Sequence, residues 1–259
     1  MLQIPSKKNN ATFRKAFIPR DGNLFIVADY SQIELRIMAE LSGDEAMLHA
    51  FKEKLDLHTY TASLMFKTPL GEVTDRQRST AKTVNFGILY GMGPKKLRET
   101  LINDGIDMSM DEAVESVKQW KKSYLRAAGQ IVNWQMSVLQ LGYTATPFGR
   151  KRFFDITTED KYERFGIQRA GANHVIQGTS ADITKLAMLL IHSSLEGLPG
   201  VIVLQVYDEI VVEVPEYLAE WAKDMVQSCM HVAAEEVLNT VPCQVDAVIS
   251  RSWSEEDEV

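Results

Sequence analysis

Two runs of β-forming residues, Val201-Ile202-Val203-Leu204-Gln205-Val206 and Ile210-Val211-Val212-Glu213-Val214, are separated by only Tyr207-Asp208-Glu209. Val and Ile suit a pleated, half-buried surface, and so short a polar interval joins neighbouring strands antiparallel instead of by a crossover. A β-hairpin is therefore expected here, with two adjacent carboxylates at its tip. Leu24-Phe25-Ile26-Val27-Ala28, bounded by Asp21-Gly22-Asn23 and by Asp29, predicts a second buried strand with Asp29 at its end.

Most of the remainder has helical periodicity. Ile33, Ile37, Met38 and Leu41 follow the first strand at helical spacing and stop at Ser42-Gly43. Helix dominates from about Asp44 to Leu141, with turn signals at Pro69-Leu70-Gly71, Gly91-Met92-Gly93-Pro94 and Asn103-Asp104-Gly105. A short strand pair is predicted around Tyr143 to Phe154, then helix from about Asp160 to Glu196. After Pro215 an amphipathic helix carries Leu218, Ala222, Met225, Cys229 and Val232. The fold class expected is α+β, an antiparallel sheet joined to a larger, mostly helical lobe.

With 259 residues, 45% of them hydrophobic, the chain can bury a real core, which excludes disorder and collagen-like repeats. No apolar run approaches the ~20 residues that span a bilayer. The start, MLQIPSKKNN, lacks the apolar centre of a signal peptide, so no membrane partner and a cytoplasmic location are expected. Cys229 and Cys243 are too few for a disulfide framework or a zinc site and are expected as buried thiols. The net charge of −7 argues against a nucleic-acid partner, but its distribution argues otherwise. Four acidic residues cluster at Glu255-Glu256-Asp257-Glu258, whereas Arg76 to Arg98 holds six basic residues and no acidic one, and Arg150-Lys151-Arg152 adds another cluster. These stretches fit either a phosphate-facing surface or a solvated basic face.

Asp29 and Asp208 end or join strands. If those strands are neighbours, the carboxylates converge at one edge of the sheet. Such a pair suits magnesium, which takes one or two carboxylates plus waters and phosphates, and two ions about 3.5–4 Å apart stabilise both oxygens of an in-line displacement. Turn-forming or helix-capping aspartates would have the same pattern. Arg78, Lys82, Phe86 and Tyr90 recur every four residues and so share one helix face. Two cations followed by two aromatics could offer charge to phosphates and flat surfaces to a base. An ordinary amphipathic helix, with Phe86 and Tyr90 in the core, fits equally.

Three stretches taken together resemble the polymerase motifs of the family A DNA polymerases, the bacterial DNA polymerase I type. They are Asp29-Tyr30-Ser31-Gln32-Ile33-Glu34-Leu35-Arg36, then Arg78-x3-Lys82-x3-Phe86-x3-Tyr90-Gly91, then Gln205-Val206-Tyr207-Asp208-Glu209. The resemblance extends through Leu2-Gln3-Ile4-Pro5, Asp56-Leu57-His58, Gly142-Tyr143, Gly149-Arg150 and Arg169-x3-Asn173-x3-Gln177-Gly178-Thr179, over nearly the whole chain. It implies a palm at residues 1–42 and 173–259, carrying the metal-site hairpin, and fingers at 43–172.

The resemblance further implies that Asp29, Asp208 and the Tyr30 carbonyl ligate two Mg2+ ions, with Glu209 an auxiliary catalytic carboxylate. Arg78, Lys82 and His58 would contact the triphosphate, Lys82 also serving as general acid toward pyrophosphate. Gln32, Phe86 and Tyr90 would complete the nucleotide site, and Glu34 would exclude a ribose 2′-hydroxyl. Lys7, Arg169, Asn173, Gln177, Gln205 and Tyr207 match positions that contact primer–template DNA. The implied function is template-directed addition of deoxynucleoside triphosphates to a primer 3′-hydroxyl, in a bacterial or phage-infected cell.

Several positions depart from the family pattern. Tyr207 stands where the family has His, and a phenol cannot become cationic near neutral pH. Lys7 replaces a frequent Arg, losing a planar guanidinium. The sequence starts at the Leu-Gln-Ile-Pro segment, before which family members carry a thumb and often an exonuclease. Weak, salt-sensitive DNA binding is therefore expected, with a second polypeptide as a source of the thumb or exonuclease, and no proofreading is expected because no second carboxylate constellation resembles an exonuclease. A catalytically silent nucleotide- or DNA-binding subunit, or half of a split polymerase, is the competing reading. A phage-type RNA polymerase shares the helix logic but is disfavoured by Glu34.

Overall fold

A computed structural model of the chain describes residues 11–254 and 257–259, so Lys7 and the Leu-Gln-Ile-Pro segment lie outside the described residues. In chain order the elements are α1 (Ala11–Arg14), β1 (Asn23–Tyr30), α2 (Ile33–Ser42), α3 (Glu45–Lys52), α4 (Leu57–Phe66), α5 (Asp75–Leu89), α6 (Pro94–Asn103) and α7 (Met110–Ser123). There follow α8 (Leu125–Leu141), β2 (Tyr143–Ala145), β3 (Lys151–Phe153), α9 (Lys161–Ser194), β4 (Val201–Val206), β5 (Glu209–Pro215), α10 (Ala219–Glu235) and β6 (Val245–Ser250). The α+β class holds. The chain divides into two compact units, one of residues 1–33, 180–238 and 243–259, the other of 34–179 and 239–242.

The first unit is built on an antiparallel sheet of order β4-β5-β1-β6. Alternation along β1 sends Phe25 and Val27 to one face, where they cluster with Val211 and the fully buried Trp253. The opposite face packs on α10, and there the Tyr30 hydroxyl donates to the Met230 carbonyl at 2.7 Å. Because both faces are covered, β5 is buried from Glu209 to Val214 and its sequence is a near-continuous apolar run. Cys229 and Cys243 are half-buried rather than buried, since each lies at the margin of this packing.

The second unit is helical except for the β2–β3 hairpin. Its helix starts are chemically specified. Thr74 with Gln77 and Ser109 with Glu112 form capping boxes that open α5 and α7. Asp44 serves two helices, one carboxylate oxygen accepting from Ala46 and Met47 of α3 and the other from Arg126 and Ala127 of α8. No helix among the described residues is long and apolar enough to cross a membrane.

Candidate active site

In the first unit, backbone register places Asp29 of β1 opposite Glu209 of β5 on one side and Asp246 of β6 on the other. Asp208 immediately precedes Glu209, so the two aspartates meet at one end of the sheet. The hairpin is tighter than the residues suggest, because Val206 pairs directly with Glu209 and the turn is Tyr207-Asp208 alone. Glu209 consequently belongs to the strand and points inward. Only one carboxylate, Asp208, sits at the tip.

Glu209 is 4% exposed, and its carboxylate accepts from Arg14 Nη1 at 2.9 and 3.1 Å and from Trp253 Nε1 at 2.5 Å. The Arg14 guanidinium stacks 4.1 Å from the Trp253 ring centre. The cluster therefore pairs the charge of Glu209 and fixes the strand that carries Asp208. Tyr207 begins the turn at φ +57°, in the left-handed region that costs a bulky residue roughly 1–2 kcal/mol, and its ring is 83% exposed. Gln205 donates from its side-chain amide to the Tyr207 carbonyl, which holds the strained residue from below.

Asp29 and Asp208 are both partly accessible. Burial pushes the Tyr30 phenol far above its ordinary pKa, with the charges of Cys243 and Asp208 adding to the effect, so Asp208 lies within electrostatic reach of Tyr30. Two hard oxygen donors at adjoining strand ends are the set that magnesium takes when water and phosphate complete its shell. Among the described residues no group of three or more His, Cys, Asp or Glu side chains is gathered as a metal site. Gln32, also at φ > 0, has a buried Oε1 with no hydrogen-bond partner among the described residues, the signature of a group that waits for a ligand or water.

In the second unit the face of α5 is populated as its spacing requires. Phe86 and Tyr90 stack at 6.4 Å and 20°, and the His58 ring lies 5.6 Å from Phe86. Lys82 is exposed. Arg78 is not a lone cation, because its Nε and Nη2 reach Asp56 at 2.7 and 3.2 Å. Burial alone would raise the Asp56 carboxyl, but hydrogen bonds from Arg78 and Thr59 outweigh it and bring the pKa to about 2. Burial depresses His58 to about 4, and Lys82 and Arg78 push the same way against Asp56, so the ring is neutral at pH 7. Glu34 accepts from the Tyr90 hydroxyl, and burial raises its carboxyl despite that bond.

Arg169, Asn173 and Gln177 follow one another along α9. Turned so that its nitrogen faces two carbonyls, the Asn173 amide donates to Arg169 and Leu89 at 3.2 Å each. The Arg169 stem covers Gly91, where an added Cβ would come within 2.7 Å of Arg169 Cγ and where φ is +74°, so glycine is required twice over. Reading the sequence alone missed Arg14, Trp253, Asp246, Asn85 and Trp120, and it did not pair Asp56 with Arg78. The available signal was Asn85, a poor helix former placed between Val84 and Phe86 in the helix interior.

The described residues thus form a mixed α+β molecule with two aspartates at one sheet edge and a helix face of cations and aromatics. The family model for DNA polymerase family A matches residues 1–255, and the chain belongs to that family. It is similar to the thermostable DNA polymerase I of Thermus filiformis, 40% identical over 243 residues, covering 93% of this chain and 28% of that protein. The DNA polymerase I of Caldicellulosiruptor bescii is 37% identical over 259 residues, covering 98% of this chain and 30% of that protein. The chain thus spans under a third of the length of these two relatives. A solved structure described as the POL domain of Pol1 from M. smegmatis, in complex with DNA primer-template and dNTP, superposes with a TM-score of 0.89. The two are 32% identical, over 97% of this chain and 44% of that one.

Proposed function

We propose that the chain is the palm and fingers of a template-directed DNA polymerase, with residues 1–42 and 173–259 as palm and 43–172 as fingers. The observation that carries this is the antiparallel register that sets Asp29 opposite Glu209, the residue that follows Asp208, across a separation of most of the chain. Family membership and the primer-template and dNTP bound by the M. smegmatis relative support it.

Asp29, Asp208 and the Tyr30 carbonyl would hold two Mg2+ ions, which would supply positive charge to the primer hydroxyl and the triphosphate. Lys82 gives its proton to pyrophosphate, and Arg78 and His58 bind triphosphate oxygens. Arg78 must then exchange Asp56 for phosphate. Phe86 and Tyr90 flank base and sugar, Gln32 hydrogen-bonds the nucleotide, and Glu34 fills the space a 2′-hydroxyl needs. Glu209 acts through its clamp on the hairpin. Arg169, Asn173, Gln177, Gln205, Tyr207 and Lys7 contact primer–template.

Single-nucleotide primer extension by the purified chain with magnesium tests the reading. Addition of a deoxynucleotide in preference to a ribonucleotide, abolished by Asp208→Ala, is the expected result. A folded chain that adds neither, or a fully active Asp208→Ala variant, refutes it.

A further inference from the structure

Behind His58 lies a buried polar network that the proposed chemistry does not use. Asn85 of α5 is 0% exposed and its Nδ2 lies 3.1 Å from His58 Nδ1. Its Oδ1 accepts from the indole N–H of Trp120 on α7 at 2.7 Å. Asn85 Nδ2 also donates to Thr61 Oγ1 at 3.0 Å, and that hydroxyl meets Tyr124 at 2.7 Å and donates to the Leu57 carbonyl at 2.7 Å. Trp120 and Tyr124 stack edge to face at 5.3 Å, so the whole arrangement is held in the core of the helical unit.

Donor and acceptor rules make this network directional. An indole nitrogen can only donate, so the atom of Asn85 facing Trp120 must be the carbonyl oxygen. The amide nitrogen is thereby turned toward His58, and it too can only donate. His58 Nδ1 must accept, which leaves the ring's proton on Nε2. Among the described residues the hydrogen bond made by the His58 ring is the one to Asn85, so the Nε2 edge is uncommitted.

We infer that Trp120 and Asn85 are positioning residues that hold His58 as the neutral tautomer protonated on Nε2, so that the ring offers a nucleotide triphosphate an uncharged hydrogen-bond donor. The statement about the triphosphate rests on the polymerase reading; the tautomer does not. Arg78 and Lys82 then supply the positive charge and His58 the direction. At metal sites, where partners of this kind fix a histidine's tautomer, their loss typically costs roughly 10–100-fold in affinity or activity.

Long-range 15N–1H correlation spectra of the full chain at neutral pH test the inference, with His58→Gln assigning the ring signals. A pyrrole-type Nε2 and a pyridine-type Nδ1 are expected. The reverse pattern, an average of the two tautomers, or a doubly protonated ring overturns it, and this measurement needs no destabilised variant. Asn85→Asp, which puts an acceptor against Nδ1, should move the proton there. Because affinity scales with the fraction of competent tautomer, it should weaken dATP binding roughly tenfold or more. An Asn85→Asp chain that keeps the wild-type ring signals also overturns the inference. In the wild type, dATP should shift the Nε2 signal. The expected tautomer without a dATP shift leaves the Trp120–Asn85–His58 relay standing and refutes only nucleotide binding at this edge.

Discussion

Removing one partner of a buried ion pair leaves an uncompensated charge, so Arg14→Leu strands Glu209 beneath the sheet. It is expected to cost about 3–5 kcal/mol by urea unfolding, and Arg14→Leu combined with Glu209→Leu far less. Equal losses would mean that packing against Trp253, not charge pairing, holds the hairpin. His58 is linked to pH with a definite sign. Its folded pKa, about 4, lies below the unfolded value near 6.5, so the folded chain binds this proton less readily. Its contribution, roughly 3 kcal/mol, is complete above about pH 6.5, declines as pH falls and is gone by about pH 4. His58→Gln should flatten the pH dependence of stability over that window, and an unchanged slope would count against it. Tyr90→Phe removes the hydrogen bond that lowers the Glu34 carboxyl, whose pKa should rise further. A carboxyl 13C titration measures this directly, and a pKa unchanged or lower would show that the bond is not formed in solution.

Individual elements explain what could and could not be read from the sequence. The hairpin strands were legible because Val and Ile runs flank a minimal turn, and the α5 face because a four-residue period needs no partner to be recognised. Glu209 was misplaced at the hairpin tip, since only the pairing of Val206 with Glu209 reveals a two-residue turn. Asp246, opposite Asp29, was invisible because β6 reaches β1 from the far end of the chain. Asp56 was noticed as part of a motif, yet its ion pair with Arg78 depends on α4 packing against α5. Asp44 was likewise unread, although its effect spans two helices. An ordinary cap is worth ~1 kcal/mol. Asp44→Ala should therefore cost roughly 2 kcal/mol or more in urea unfolding, and a loss no larger than that of a single cap would mean that only one helix depends on it.

At the scale of the whole molecule, contact distance sets the order of assembly. Arg14 and Glu209 are 195 residues apart, whereas the α4–α5, α6–α7 and α7–α8 contacts are between near neighbours in the chain. Closing long loops precedes any reward from the contacts they allow, so local helix pairs form first. In pulse-labelled refolding, amides of α4 and α5 should gain protection before Ile26 and Val27 of β1. Simultaneous protection would show that the sheet nucleates folding. The two-residue Tyr207-Asp208 turn has a consequence for how this region can vary in length. One residue inserted there has to be taken up as a bulge in the turn, because a slip of β5 by a single step would turn Glu209 and Val211 toward α10 and present Ile210 and Val212 to Trp253. A codon added at the hairpin tip is therefore tolerated only where the turn absorbs it, so this segment can change its letters far more readily than its count.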